Sequence, residues 1–263
     1  MIIDFHHHLL SGNSYVDAML RQMDVAGVDK LCLSGLGVPS DNWLGDTFPG
    51  NRDVEAAATR YPDRILPIGT IRLGVDSANT VRELFDGGFL GLKTTRPLYD
   101  YDDTRLDVVY ATAEELGMPI LFHTGFIVRS KTDALDDVSS ARTRPVLLDR
   151  IARRFPNLAI VLAHLGMPWH DEAAQMCRFH DNVYADFSGS LLGWRNRLSP
   201  SDFKRILYWP GAMSKIIFGS DVQHDELEIA VRDYERILSL MHVDDTTRRA
   251  VMGGNAAKLL GIK

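Results

Sequence analysis

Cysteine is nearly missing from this chain: Cys32 and Cys177 are the two among 263 residues. Two isolated thiols make no disulfide framework and suit reduced, buried side chains in a cytoplasmic protein. Long apolar runs are missing too. None approaches the roughly 18 residues of a membrane helix, so no membrane partner is expected. An excess of positive charge is absent, the formal net charge being −6, and nothing invites nucleic acid. The N-terminus reaches acid and histidine after three residues, unlike a signal peptide. No glycine-rich dinucleotide fingerprint follows any apolar run, which argues against an open doubly wound nucleotide-binding sheet. Linkers, low-complexity stretches and internal repeats are also lacking. What remains is an ordinary globular composition, 45% apolar and 24% charged. One domain over residues 1–263 is the simplest organisation for it.

Short apolar runs alternate with amphipathic stretches. The spacing predicts strands at Met1–Phe5, Lys30–Leu36, Ile65–Ile71, Gly88–Thr95, Met118–Gly125, Leu158–Gly166, Asn182–Ser190 and Lys215–Asp221. Between and after them it predicts helices at Ser14–Ala26, Arg52–Arg60, Asn79–Phe85, Thr104–Leu116, Arg144–Phe155, Trp169–Phe179, Asp202–Tyr208, Glu226–Met241 and Thr246–Met252. Ser14 is the expected cap of the first helix and Asn255 that of a last short one. Regular β-then-α alternation implies a parallel sheet. Eight units in this length fit an α/β fold of the (β/α)8 TIM-barrel type, typically about 250 residues.

In such a barrel the active site lies at the C-terminal ends of the strands. The first strand runs into His6, His7 and His8, the fourth ends at Lys93, the fifth at His123, the sixth at His164 and the eighth at Asp221. Singly, each has an ordinary reading: a hydrogen-bonded core histidine, or a surface lysine. Together, buried imidazoles, an amine and a carboxylate are costly unless paired or coordinated. A divalent cation resolves this, since neutral imidazole and carboxylate are standard zinc ligands. Strand parity puts His6 and His8 on one face and His7 on the other, with Asp4 sharing the parity of His6 and His8.

The stretch IDFHHHLL resembles the IDxHxH opening of the amidohydrolase superfamily. GFLGLKTTRPLYDYDD, PILFHTG, FPNLAIVLAHLGMPW, NVYADFSG, KIIFGSD and GGNAAKLLG follow in the order typical of its amidohydrolase-2 family. That family includes aminocarboxymuconate-semialdehyde decarboxylase and related hydrolases and lactonases. The resemblance spans nearly the whole chain. It implies a metal-dependent barrel with His6, His8, His123 and Asp221 as ligands. Asp221 is then the general base, and His164 stays off a single ion to steady the hydroxide or oxyanion. In the binuclear version His123 and His164 hold a second ion and Lys93 bridges both as a carbamate. One tight divalent ion, zinc foremost with manganese or iron as alternatives, is the expectation.

The loops after the strands should set the substrate. Trp43, Lys131 and several arginines lie in them, and Arg129, Arg195 and Trp194 are the residues selected as substrate contacts. His224 reads as a surface turn. The expected reaction is hydrolysis of an amide, ester or lactone in a small organic molecule. Non-oxidative decarboxylation of a carboxylated, aromatic-type substrate is the alternative, and a homo-oligomer is compatible with either.

Overall fold

The computed structural model describes residues 1–10, 13–37, 48–129, 133, 137–189 and 193–262. Its centre is an eight-stranded parallel sheet in which strand order follows chain order. The strands are β1 (Ile3–Leu9), β2 (Lys30–Gly35), β3 (Ile65–Ile71), β4 (Gly91–Thr94), β5 (Ile120–Phe122), β6 (Ile160–Leu162), β7 (Val183–Asp186) and β8 (Ile216–Ile217). The ring closes where Phe5 N donates to Phe218 O and Asp221 N donates to His6 O. Helices between the strands cover the outside, so the molecule is a (β/α)8 barrel.

The apolar residues sort by strand face. Leu31, Leu33, Ile120, Phe122, Ile160 and Leu162 point outward into the layer between sheet and helices. Ile3, Phe5, Cys32, Ile68, Leu121, Val161 and Ile217 fill the barrel interior. Burying one such Ile or Leu contributes roughly 1.5–3 kcal/mol. Ala256 closes the barrel floor, with Leu259, Leu260 and Ile262 packed against it. The interior below the histidines is therefore solid, and the open end carries the polar residues.

Several boundaries differ from the sequence reading. β1 contains all three histidines rather than stopping before them. The first helix starts at Asn13, so Ser14 lies inside it rather than capping it. Asn255 is the first residue of its helix, not its cap. Its amide donates instead to the carbonyls of Ser214 and Ile216, pinning the C-terminal helix to β8. The reach of that side chain decides its role, and helix spacing does not reveal it.

β1 departs from a regular strand in a way that matters. Its pairing with β2 shifts register between Asp4 and His7. Ile3 and Phe5 point into the barrel, yet His6 and His8 line the cavity above them. An inserted residue reverses the alternation at a bulge. Asp4 consequently shares a face with His7 and not with His6, contrary to simple parity. Without the bulge, the inward sequence Ile3, Phe5 would have continued to His7.

Candidate active site

A cavity of about 630 Å³ opens at the C-terminal ends of the strands. His6, His8, Lys93, His123, His164 and Asp221 all line it. Five strands or their ends thus deliver these side chains to one place. The backbone is left-handed at Arg96, His164 and Asp221, with φ of 50°, 59° and 48°. Such non-glycine conformations cost of order 1–3 kcal/mol each and cluster at functional sites. They lie two to four residues beyond the ends of β4, β6 and β8, turning these residues at the barrel mouth.

The nitrogens converge. His6 Nε2 lies 3.3 Å from His8 Nε2. Asp221 Oδ1 lies 3.5 Å from His8 Nε2 and 4.0 Å from His6 Nε2. Asp221 Oδ2 lies 3.8 Å from His164 Nε2. His164 Nε2 in turn lies 3.3 Å from His123 Nδ1. The carboxylate therefore stands between two imidazole groups: His6 with His8, and His164 with His123. His123 is paired with His164, the grouping of the binuclear version, and not with His6 and His8 as in the single-ion version.

Partner chemistry assigns the protons on three of these rings. His164 Nδ1 lies 3.2 Å from the carbonyl of Ser188, which only accepts, so Nδ1 carries the hydrogen and Nε2 is bare. His123 Nε2 faces the carbonyl of Phe126 at 3.3 Å, leaving Nδ1 bare. His6 Nδ1 lies 2.9 Å from the Asp186 carboxylate, leaving Nε2 bare. His8 Nδ1 meets the Ser34 hydroxyl at 3.0 Å, a group that donates or accepts. The facing pair His164 Nε2 and His123 Nδ1 thus presents two lone pairs to each other. They cannot hydrogen-bond without a proton or a cation between them.

A proton is disfavoured. Burial, reinforced by Lys93, holds His123 down at about 3. Burial also pushes His6, His8 and His164 well below the usual imidazole value, with Lys93 and neighbouring imidazoles adding to it. Burial raises Asp221 to about 7 against the opposing pull of Lys93. Neutral imidazoles with bare nitrogens around a carboxylate suit a divalent cation. A tetrahedral zinc with bonds of ~2.0–2.1 Å has ligand–ligand edges of roughly 3.3–3.4 Å. The 3.3 Å nitrogen separations match that edge. His6, His8 and Asp221 could hold an ion, and His123 with His164 could hold another.

Lys93 is buried and its Nζ lies 2.9 Å from His6 Nε2. Burial lowers it to about 8, against the opposing pull of Asp221 and Asp186. Its amine and an ion cannot both use the same lone pair of His6. Lys93 must swing away or, as a carbamate, become a ligand itself when an ion binds there. A depressed amine favours the second route, because only neutral amine reacts with carbon dioxide.

His7 turns away from the cavity. Its Nδ1 meets Ser220 Oγ and its Nε2 meets Tyr15 OH, both at 3.0 Å. Ser220 Oγ donates to Asp4 Oδ2 at 2.5 Å. This outer network ties β1 to the end of β8 and to the first helix.

The substrate contacts sort less simply. Trp194 lines the cavity, its Nε1 donating to Ser188 O at 3.1 Å. Arg129 also lines it, exposed at the rim. Arg195 does not: it is 1% exposed and buried beneath the loop. Its Nε donates to Asp233 at 2.8 Å and its Nη1 to the Phe187 carbonyl at 2.6 Å. The adjacent arginine position pairs inward because Asp233, 38 residues away, supplies a buried partner. His224 packs at a tilt against Tyr15 with ring centres 4.9 Å apart and does not line the cavity. Trp43 and Lys131 lie outside the described residues.

Two residues escaped the sequence reading. Arg96 is buried, lines the cavity, and donates from Nη1 to Asp133 at 2.6 Å. Asp186, at the inward end of β7, lies behind His6 and His164. The strand alternation through NVYAD would have placed it facing inward.

A model of the amidohydrolase family matches residues 3–262, and the chain belongs to that family. No curated protein matches it in sequence. Among solved structures, an uncharacterised TIM-barrel protein of Bordetella bronchiseptica is 21% identical, with a TM-score of 0.76 over 99% of this chain and 98% of its own. A probable 2-pyrone-4,6-dicarboxylic acid hydrolase of Acinetobacter baumannii, with citric acid bound, is 17% identical, with a TM-score of 0.66 over 99% of each chain. The 5-carboxyvanillate decarboxylase of Novosphingobium aromaticivorans, complexed with manganese and a nitrobenzoic acid, is 15% identical. Its TM-score is 0.62 over 100% of this chain and 96% of its own. These likenesses establish the fold. The family itself rests on the model match over residues 3–262, and the similar structures carry more than one reaction.

Proposed function

We propose that the protein is a metal-dependent hydrolase that cleaves an amide, ester or lactone bond in a small carboxylated organic molecule. One observation carries the reading. Asp221, whose side chain is 27% exposed to the cavity, stands between bare imidazole nitrogens on both sides. His6, His8 and Asp221 would hold a tight divalent ion, zinc or manganese. When bound, such an ion lowers the pKa of water and polarises a carbonyl.

The chain's own residues would do the rest. Asp221 accepts the proton of the attacking water and returns it to the leaving group. His164, bare at Nε2 and neutral, accepts a hydrogen bond and so orients that water. It has no proton there to offer an oxyanion, so oxyanion stabilisation falls to a donor such as Lys93. Arg129 at the rim supplies positive charge for a substrate carboxylate, and Trp194 supplies a flat apolar wall. Arg195 holds the loop that presents Trp194 and does not meet substrate.

The facing lone pairs of His123 and His164 support a second, weaker ion bridged to the first by a Lys93 carbamate. Metal titration with intact-mass analysis separates the cases: one equivalent and an unmodified mass, or two with a carbamate lost on acidification. The alternative reaction, decarboxylation on the same scaffold, draws support from the manganese-bound neighbour. Screening lactones and carboxylated aromatics for acid production against CO2 release decides between them. Acid production without CO2 supports hydrolysis, and CO2 release without acid overturns it.

A further inference from the structure

Asp186 is buried and does not line the cavity, yet every atom of its carboxylate is engaged. Oδ1 accepts from His164 N at 2.7 Å, Ser188 N at 2.9 Å and Ser188 Oγ at 2.5 Å. Oδ2 lies 2.9 Å from His6 Nδ1. Three fixed donors saturate one oxygen, and the other is left to the histidine. With its oxygens used in this way, Asp186 orients and does not ligate.

We propose that Asp186 is a positioning residue that selects the tautomer of His6. Accepting from Nδ1 holds the proton on the wall side of the ring and leaves Nε2 bare toward the cavity. One contact on the other side agrees: Lys93 Nζ, a donor, lies 2.9 Å from Nε2. Ser188 extends the arrangement to His164. Its hydroxyl gives its hydrogen to Asp186, so it can only accept from His6 Nδ1 and His164 Nδ1, each 2.9 Å away. Asp186 and Ser188 thus set both rings alike from behind. The approach needs a glycine: a Cβ at Gly219 would lie 2.9 Å from His6 Cβ and 3.1 Å from Asp186 Oδ2.

A carboxylate that merely closed the end of β7 would be replaced by Asn at little consequence, because Asn Oδ1 still satisfies the three donors. The tautomer role reverses instead. With Oδ1 fixed by those donors, the amide NH2 of Asp186→Asn must face His6 Nδ1. That nitrogen then accepts, and the ring proton moves to Nε2, the nitrogen that would bind metal. Ligating histidines depend on such partners, whose loss typically weakens metal binding 10–100-fold.

The test is long-range 15N–1H correlation of the histidine rings in the metal-free protein, followed by Zn2+ titration. Wild type should carry the His6 proton on Nδ1 and D186N on Nε2, with Zn2+ affinity about 10–100-fold lower in D186N. A wild-type proton on Nε2, or a D186N spectrum with the His6 tautomer unchanged, overturns the proposal. Should D186N fail to fold, the wild-type spectrum and S188A, which retains Asp186 and should keep the Nδ1 proton, decide it. The consequence for metal rests on the reading above, but the tautomer does not. Nδ1 protonation in a protein that binds no Zn2+ would support this assignment and overturn metal dependence.

Discussion

His6 and His7 are neighbours in sequence and opposites in environment. Both ring nitrogens of His7 meet protein hydroxyls at 3.0 Å, Ser220 on one side and Tyr15 on the other. His6 has one nitrogen held by Asp186 and the other turned to the cavity. A buried histidine whose nitrogens are both satisfied within the protein holds the fold together. One with a bare nitrogen aimed at open space is available to a ligand. The same contrast separates Arg195, paired inward with Asp233, from Arg129 at the cavity rim. Side chains of one type, close in sequence or in the same kind of loop, divide by where their polar atoms find partners.

The contrast can be broken at its cavity side first. Replacing Asp221 with Asn should lower turnover by about 10²–10⁴-fold at saturating metal, since a base is lost. The thermal transition should stay within a few degrees of wild type. A variant that keeps most of its activity removes the base role. On the satisfied side, Arg195→Ala strips Asp233 Oδ2 and the Phe187 carbonyl of their buried donor, Arg236 still holding Asp233 Oδ1. It should cost about 3–5 kcal/mol in denaturant unfolding. A fully stable Arg195→Ala protein with only a raised KM would restore Arg195 as a substrate contact.

A smaller effect is expected at His7. His7→Asn cannot reach both Ser220 and Tyr15, and should lose about 1–3 kcal/mol of stability. Its divalent-ion content after dialysis should match wild type.

The smallest effect is on pH dependence. The imidazoles at the cavity are lowered, His123 to about 3. From about pH 6.5 downward the unfolded chain takes up protons that the folded one refuses, so stability falls as pH falls. Asp221, raised to about 7, works in the opposite direction, because the folded chain protonates it first. Four lowered imidazoles outweigh one raised carboxylate. Metal-free protein should therefore lose more than about 1 kcal/mol between pH 7 and pH 5, read from urea midpoints. Flat or rising stability over that range would mean the rings are not held neutral.

The barrel was legible because alternating apolar runs and amphipathic stretches are local signals: seven of the eight strands lie within the segments so marked, and β1 overlaps its segment but runs on to Leu9. The residues that converge on the cavity were legible because each ends a strand. Finer placement was not. Parity placed His6 with His8 and apart from His7, as the structure has it, but it also placed Asp4 with them. The bulge in β1 separates Asp4, and counting residues does not reveal a bulge. Arg195 and Asn255 found partners 38 and 39 residues away, and long-range pairing of that kind leaves no local trace. Asp186 carried a readable signal in its inward parity. It was missed because its task is to orient a histidine and not to face the cavity.

The measurement that bears most directly on the account is divalent-ion content across three proteins after Zn2+ loading and dialysis. Wild type should retain one tight equivalent per chain, His7→Asn should retain it too, and His6→Ala should lose it. Retention by His6→Ala with loss from His7→Asn, or a wild type that holds no ion, would contradict the division of the two histidines on which the account stands.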